Sequence, residues 1–337
     1  MGGGYNPINP AYFIDDTPEK QGTTFLGRPV INYEEAHELC KGYVILVCSG
    51  SPQARKIIFD GLRNDGVEDA DFCGFQEYFF CAHKDKVLAV FDMLEDDFSK
   101  ASYANAILTR MGKTKVRSEL VTEDSYFELP AFATFDGNEV FVDCGAYVGD
   151  TIEEYVSTHI DFKKIVAFEP VDRNFCALIA RVNRLKQEWN LPDSKIEMVC
   201  GGIGESSYYA GKESMIQQAE HGVHLSGIRL SHKDPSGEGG VPVYALNEYF
   251  ATQPISFLKA DIEGYEWKML AGGGKVLRRD LPKLAVCIYH TPADMFRLAI
   301  QIKEICPEYK IFVRQHQLNW HDTILYAYVE KEYGIIE

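Results

Sequence analysis

Phe141-Val142-Asp143-Cys144-Gly145-Ala146-Tyr147-Val148-Gly149-Asp150-Thr151 decides how the rest of the chain is read. An apolar strand runs into an acidic residue and a glycine. A second glycine follows four residues later, and Asp150-Thr151 opens a helix. Gly145 lets the chain turn tightly and lets a ligand approach the backbone. Gly149 allows close contact at the helix start. Asp143 is poised for a cationic or hydroxylated group at the strand end, where open α/β sheets bind their ligands.

Twenty-four residues after Gly145, Lys164-Ile165-Val166-Ala167-Phe168 leads into Glu169-Pro170. A carboxylate at the end of a second strand is placed to accept two hydrogen bonds from a ribose diol. The dinucleotide turn GxGxxG is absent, because Ala146 and Tyr147 stand where a pyrophosphate would need glycine, and no GxxxxGK[ST] loop occurs. DxGxxxGxT resembles the pattern of S-adenosylmethionine-dependent methyltransferases. The resemblance implies that Asp143 and the backbone around Gly145 face the amino-acid and sulfonium end. Glu169 would hold the ribose, and adenine would lie near Gly201-Gly202-Ile203. Gly149, Thr151 and, further along the chain, Asp261 complete that expected cofactor set.

A further charged cluster follows an apolar run in Phe257-Leu258-Lys259-Ala260-Asp261-Ile262-Glu263-Gly264-Tyr265-Glu266. Helix capping by Asp261 or Glu263 is the structural reading; carboxylates lining one pocket with the first two sites is the functional one. The segment resembles the KxDxEGxE signature of the FkbM-type methyltransferase family, through Lys259, Asp261, Glu263, Gly264 and Glu266. Val140–Thr151 and Phe168-Glu169-Pro170 resemble its first two motifs. Ile288-Tyr289-His290 is similar to its histidine after the fifth strand, and Arg314-Gln315-His316 with Asp322–Ala327 to its closing strand pair. The likeness covers about residues 125–330. It implies a Rossmann-like seven-stranded methyltransferase fold, order 3-2-1-4-5-7-6 with the last strand antiparallel. It also implies S-adenosylmethionine as cofactor and O-methylation of a sugar or secondary metabolite.

Outside these motifs, strand–helix alternation from Glu139 onward independently predicts a sheet covered on both faces. Only Gln315–Asp322 separates the last two strands, too short for a helical crossover, so they pair antiparallel. The helix after Asp261 is expected to end near Leu270. Residues 204–242 interrupt the alternation and read as a binding lid or a surface excursion. Upstream, Tyr43–Cys48, a Ser49–Pro52 turn and a helix over Ala54–Leu62, with Ile57, Ile58 and Leu62 on one side, form a β-turn-α unit. Strands are expected around Phe75–Cys81 and Val87–Phe91. A helix follows, capped near Asp96-Asp97 with Ala101, Ala104, Ile107 and Leu108 as its buried stripe. Phe135-Asp136-Gly137-Asn138 reads as a turn. Domains are expected at 1–125, a smaller N-terminal α/β unit that binds the acceptor or forms a homodimer contact, and at 126–337.

The 337 residues carry 34 Lys and Arg against 50 Asp and Glu, a net charge of −16. That argues against nonspecific nucleic-acid binding and against an anionic membrane face. No apolar run reaches about 18 residues, so no membrane insertion is expected. The N-terminus does not read as a signal peptide. Nine cysteines without a CxxC pair read as reduced thiols of a cytoplasmic protein. The expected partner is a small-molecule or glycan acceptor.

Methyl transfer to a hydroxyl needs in-line positioning and a base within reach. His290, with an ordinary pKa of about 6.5, is the expected base, and a buried structural histidine is its alternative. Asp261 orients the acceptor or serves as base, and Lys259 completes the expected catalytic set. Glu263 and Glu266 hold Lys259, the acceptor or a cation; His316 is a weaker candidate, and no metal is expected. The rival functions are a nicotinamide-dependent oxidoreductase, which should carry GxGxxG, and a noncatalytic nucleoside-binding module.

Overall fold

The apolar runs assemble into one seven-stranded sheet. In the computed structural model its strands are β1 (Val140–Cys144), β2 (Lys164–Phe168), β3 (Ile196–Val199), β4 (Phe257–Ala260), β5 (Lys283–Cys287), β6 (Lys310–Gln315) and β7 (Thr323–Tyr328). The structure describes residues 9–39, 41–49, 51–123, 125–133, 137–159, 161–212, 230–233, 240–319 and 321–330. The order is β3-β2-β1-β4-β5-β7-β6, and β7 runs antiparallel to both neighbours, as the motifs and the short connection predict. β1 and β4 are buried along their whole length, as parallel strands covered on both faces must be. The register of β4 on β1 sets Lys259 beside Asp143. Two charges thus sit side by side in an otherwise apolar sheet centre.

Helices α1 (Asp150–Thr158), α2 (Asp172–Glu188), α3 (Glu266–Asp280) and α4 (Asp294–Ile305) flank the sheet. α3 corrects the expectation of a helix ending near Leu270. It continues through Gly272-Gly273-Gly274, and the first two of these glycines serve close packing. A Cβ on Gly272 would lie 2.2 Å from the Gly204 carbonyl oxygen, and one on Gly273 2.9 Å from Leu246 Cδ1. On the other side of the sheet centre, Phe141 stacks on Tyr155 at 4.6 Å, and Phe132 meets Phe257 edge-on at 5.4 Å.

The interruption after β3 contains strand structure that the sequence reading missed. Gly202–Gly204, Tyr208–Lys212, Leu230–Lys233 and Val241–Ala245 form a separate four-stranded sheet. The rest of the expected lid, 213–229 and 234–239, lies outside the described residues, as do Phe135 and Asp136 of the expected turn.

The chain divides into two compact units, residues 1–79 and 80–337. In the first, parallel strands Ile45–Val47 and Phe72–Gly74 accompany the helix Pro52–Asn64, whose first turn is capped by Ser51 Oγ accepting from Ala54 N at 3.3 Å. Leu62 is buried there, but Ile57 and Ile58 are exposed, against the expected stripe.

The expected strands around 75–81 and 87–91 are helices, Phe75–Ala82 and Lys84–Met93. Their richness in aromatic and branched residues suggests strands, yet burial falls on Phe80, His83, Val90 and Leu94, a helical spacing. Lys84–Met93 and the next helix, Asp97–Arg110, belong to the second unit, although the expected boundary near 125 sets them with the first. The Asp96 cap is present: its carboxylate accepts from Ser99 N. Of the expected stripe Ile107 is buried, whereas Leu108 is exposed and Ser99, Ser102, Tyr103 and Arg110 are buried instead. This helix covers the edge strand β6, where Ser99 Oγ accepts from Val313 N at 3.0 Å and Arg314 pairs with Asp96 at 2.8 Å. A covered edge cannot recruit a foreign strand. Among the described residues no helix is long and apolar enough to cross a membrane.

Candidate functional site

A cavity of about 400 Å³ lies over the carboxyl ends of the sheet. It is lined by Gly145, Thr151, Glu169, Lys259, Asp261 and Glu263 of the expected residues, and by Gly201-Gly202-Ile203, where adenine was expected. Gly145 has φ +85°, and a Cβ there would sit 2.0 Å from the Asp261 carbonyl oxygen. Gly149 has φ +83° at the start of α1, and a Cβ would meet Leu178 Cδ1 at 2.8 Å. At Gly145 a backbone oxygen and the positive φ together require glycine, and at Gly149 the positive φ favours it.

Glu169 is buried at the end of β2. Its carboxylate accepts from Tyr147 N at 2.9 Å and Val171 N at 2.8 Å. Burial raises its pKa above the usual value, and these backbone donors oppose the rise. A carboxylate has about four acceptor sites, so capacity remains toward the cavity.

Asp143 does not line the cavity. It is fully buried, and its Oδ1 lies 2.9 Å from Lys259 Nζ, which also donates to the Gly145 carbonyl at 2.7 Å. The pair braces the Gly145 turn from inside the sheet rather than offering its carboxylate to a ligand. Burial raises the Asp143 pKa, opposed by Lys259. Although burial favours a neutral amine, Asp143 and then Asp261 hold the Lys259 ammonium above its usual range.

Asp261, just past β4, is the node of the site. It accepts from the hydroxyls of Tyr126 and Tyr289, each at 3.3 Å, and lies 3.1 Å from His290 Nε2. Against burial, the His290 ring and then Lys259 lower its pKa to about 2. The other ring nitrogen, Nδ1, lies 3.0 Å from Oε1 of fully buried Glu266, which also accepts from Ile262 N at 2.8 Å. Burial opposes protonation of His290, yet Glu266 and Asp261 raise its pKa to about 11. Each ring nitrogen lies beside a carboxylate, and the two carboxylates favour the protonated ring. General-base chemistry needs the neutral form, so this geometry suits the alternative reading of a held, structural ring.

Among the described residues, Asp261, Glu266 and His290 bring their possible ligand atoms within 4.8 Å of one another. The ring lies between the two carboxylates with one nitrogen on each, at hydrogen-bond distance. His316 lies outside the cavity. Its Nε2 is 2.8 Å from Tyr326 Oη, which accepts from Tyr126 N.

Tyr126, Tyr147, Tyr265, Tyr289 and Asp322 are lining residues the sequence reading did not assign to the site. Tyr126 (φ +68°), Tyr147 (+48°), Glu263 (+56°) and Asp322 (+55°) are four of the seven non-glycine residues with positive φ among those described. Such conformations concentrate where surrounding structure holds functional groups in place. No sequence periodicity marks Tyr126, which lies in the irregular connector before β1.

This strand order, with a nucleoside-sized cavity over the glycine turn, defines the Rossmann-like methyltransferase fold. The sequence profile of the Methyltransferase FkbM domain matches residues 143–318, and the chain belongs to that family. Methyltransferase FkbM from Methylobacillus flagellatus KT is similar in fold, with 21% identity and a TM-score of 0.61 over 94% of this chain and 82% of that one. An rRNA methylase from Streptococcus thermophilus aligns over 58% of this chain and 89% of its own, at 16% identity and TM-score 0.34. Aeropyrum pernix fibrillarin with natively bound S-adenosyl-L-methionine aligns over 59% and 69%, at 14% identity and TM-score 0.35. Among curated proteins, none matched this sequence.

Proposed function

We propose that this chain moves a methyl group from S-adenosylmethionine to a hydroxyl of a sugar or secondary metabolite. The observation that carries the reading is convergence: the ends of β1, β2 and β4 bring Gly145, Glu169 and Asp261 to one cavity. The cofactor fits these residues. Glu169 retains acceptor capacity for a ribose diol, Gly145 lines the cavity where its turn packs against the Asp261 backbone, and Gly201-Gly202-Ile203 offers a wall without bulky side chains at the glycines. When bound, the cofactor supplies an electrophilic methyl group. Asp261, held ionised by His290 and two tyrosine hydroxyls, orients the acceptor. His290 holds Asp261 rather than taking the proton.

Calorimetry with S-adenosylmethionine, its demethylated product and NAD tests the reading. The first two should bind and NAD should not. Glu169→Ala should weaken binding by about 30–150-fold, the loss of charged hydrogen bonds worth about 2–3 kcal/mol. Glu169→Gln, which keeps one acceptor, should lose less. Unchanged affinity in a folded Glu169→Ala protein would refute the ribose role, and NAD binding in place of the other two would refute the cofactor.

A further inference from the structure

The order of the sheet gives the cavity two ends. Glu169 follows β2, whereas Tyr289 follows β5 and Asp322 immediately precedes β7. From β2 to β7 is four strand spacings through β1, β4 and β5, about 19 Å. With the ribose at Glu169, the acceptor lies toward Asp261, Glu263, Tyr289 and Asp322.

That end is negatively charged. Lys259 is the one Lys or Arg lining the cavity among the described residues, and it is paired with Asp143. The His290 imidazolium is shared between Asp261 and Glu266, with Glu263 a further 3.8 Å contact. Three carboxylates line this end, Asp261, Glu263 and Asp322, against Lys259, while Asp143 and Glu266 lie buried behind them beside Lys259 and the His290 ring. Counting Arg110, which donates to the Tyr289 carbonyl, and the Arg297–Asp294 pair behind it leaves the balance negative. Burial and then the Asp261 charge push the Asp322 carboxyl above its usual range. The whole chain, at −16, has the same sign. A phosphate or carboxylate on the acceptor would be repelled here, and an ammonium would be drawn in.

We infer that the acceptor is a hydroxyl compound carrying an ammonium group, of the amino-sugar class, and that Glu263 and Asp322 select it against anionic analogues. The inference rests on the methyl-transfer reading, because that reading decides which end of the cavity receives the acceptor.

The test uses one scaffold with three charges: glucosamine, glucose and glucose 6-phosphate. Each is titrated into the full chain saturated with S-adenosylhomocysteine, at about pH 6.5, below the range of an α-amino group. Saturation-transfer NMR reports affinity. Glucosamine should bind at least tenfold more tightly than glucose, and glucose 6-phosphate most weakly. Glu263→Gln with Asp322→Asn should bring glucosamine down to glucose, with the melting temperature reporting whether the variant is folded. If it is not, added salt should narrow the preference in the parent protein, since screening weakens the same field. Equal binding of all three, preference for the phosphate, binding of none, or a preference that survives both neutralising the carboxylates and adding salt overturns the inference. Failure of S-adenosylhomocysteine itself to bind overturns the underlying methyl-transfer reading instead.

Discussion

Replacing His290 by alanine is expected to cost stability before it costs chemistry. The ring lies 3.1 Å from Asp261 and 3.0 Å from Glu266, and Glu266 has no exposure to solvent. Without the ring, a buried carboxylate loses its cation, which costs about 3–5 kcal/mol. The pH dependence has a definite sign. An imidazole in the unfolded chain releases its proton near 6.5, whereas the native ring keeps it until about 11. Between those values the native state binds the extra proton. The contribution is therefore full below about 6.5 and is lost as pH rises toward about 11. Urea denaturation at several pH values across that window measures it. The parent protein should lose stability across the window; His290→Ala should start lower and lack that component. A variant as stable as its parent, with only its transfer rate reduced, would refute the held-ring argument and restore His290 as the base.

Two further outcomes follow from the sheet centre. Gly145→Ala should lose S-adenosylhomocysteine binding in calorimetry and melt at lower temperature, because its Cβ would lie 2.0 Å from a backbone oxygen; parental affinity would contradict the geometry. Lys259→Met should cost about 3–5 kcal/mol by leaving Asp143 buried and unpaired, and adding Asp143→Asn should recover much of it. A denaturation double-mutant cycle showing no coupling would exclude the pair as a unit.

The sheet was legible because its strands are apolar runs, of which β1, β2 and β4 lead into a glycine or carboxylate, and because β6 and β7 are too close in sequence for a crossover. Gly145, Glu169 and Asp261 were legible for the same reason: each follows such a run. The misreadings share one cause, the use of composition where tertiary packing decides. Aromatic content at 75–91 suggests strands, and the helix after Asp261 is expected to stop near Leu270, yet the first faces a core at helical spacing and the second runs on with Gly272 against the Gly204 carbonyl. Asp143 was placed at the ligand because strand-end position does not reveal which face a side chain takes. Tyr126 and Asp322 gave no local signal. They reach the cavity from connectors whose path depends on the assembled sheet.

The neighbouring positions of Asp143 and Lys259 bear on how the chain finds its fold. β1 and β4 are far apart in sequence and pair in parallel, a slow and error-prone kind of search. Apolar strands tolerate many alignments almost equally. Here a slip of one residue would send one charge to the opposite face and strand both in hydrocarbon. The observed register is the one that pairs the two charges, so the residues that brace the glycine turn also favour the alignment of β1 on β4.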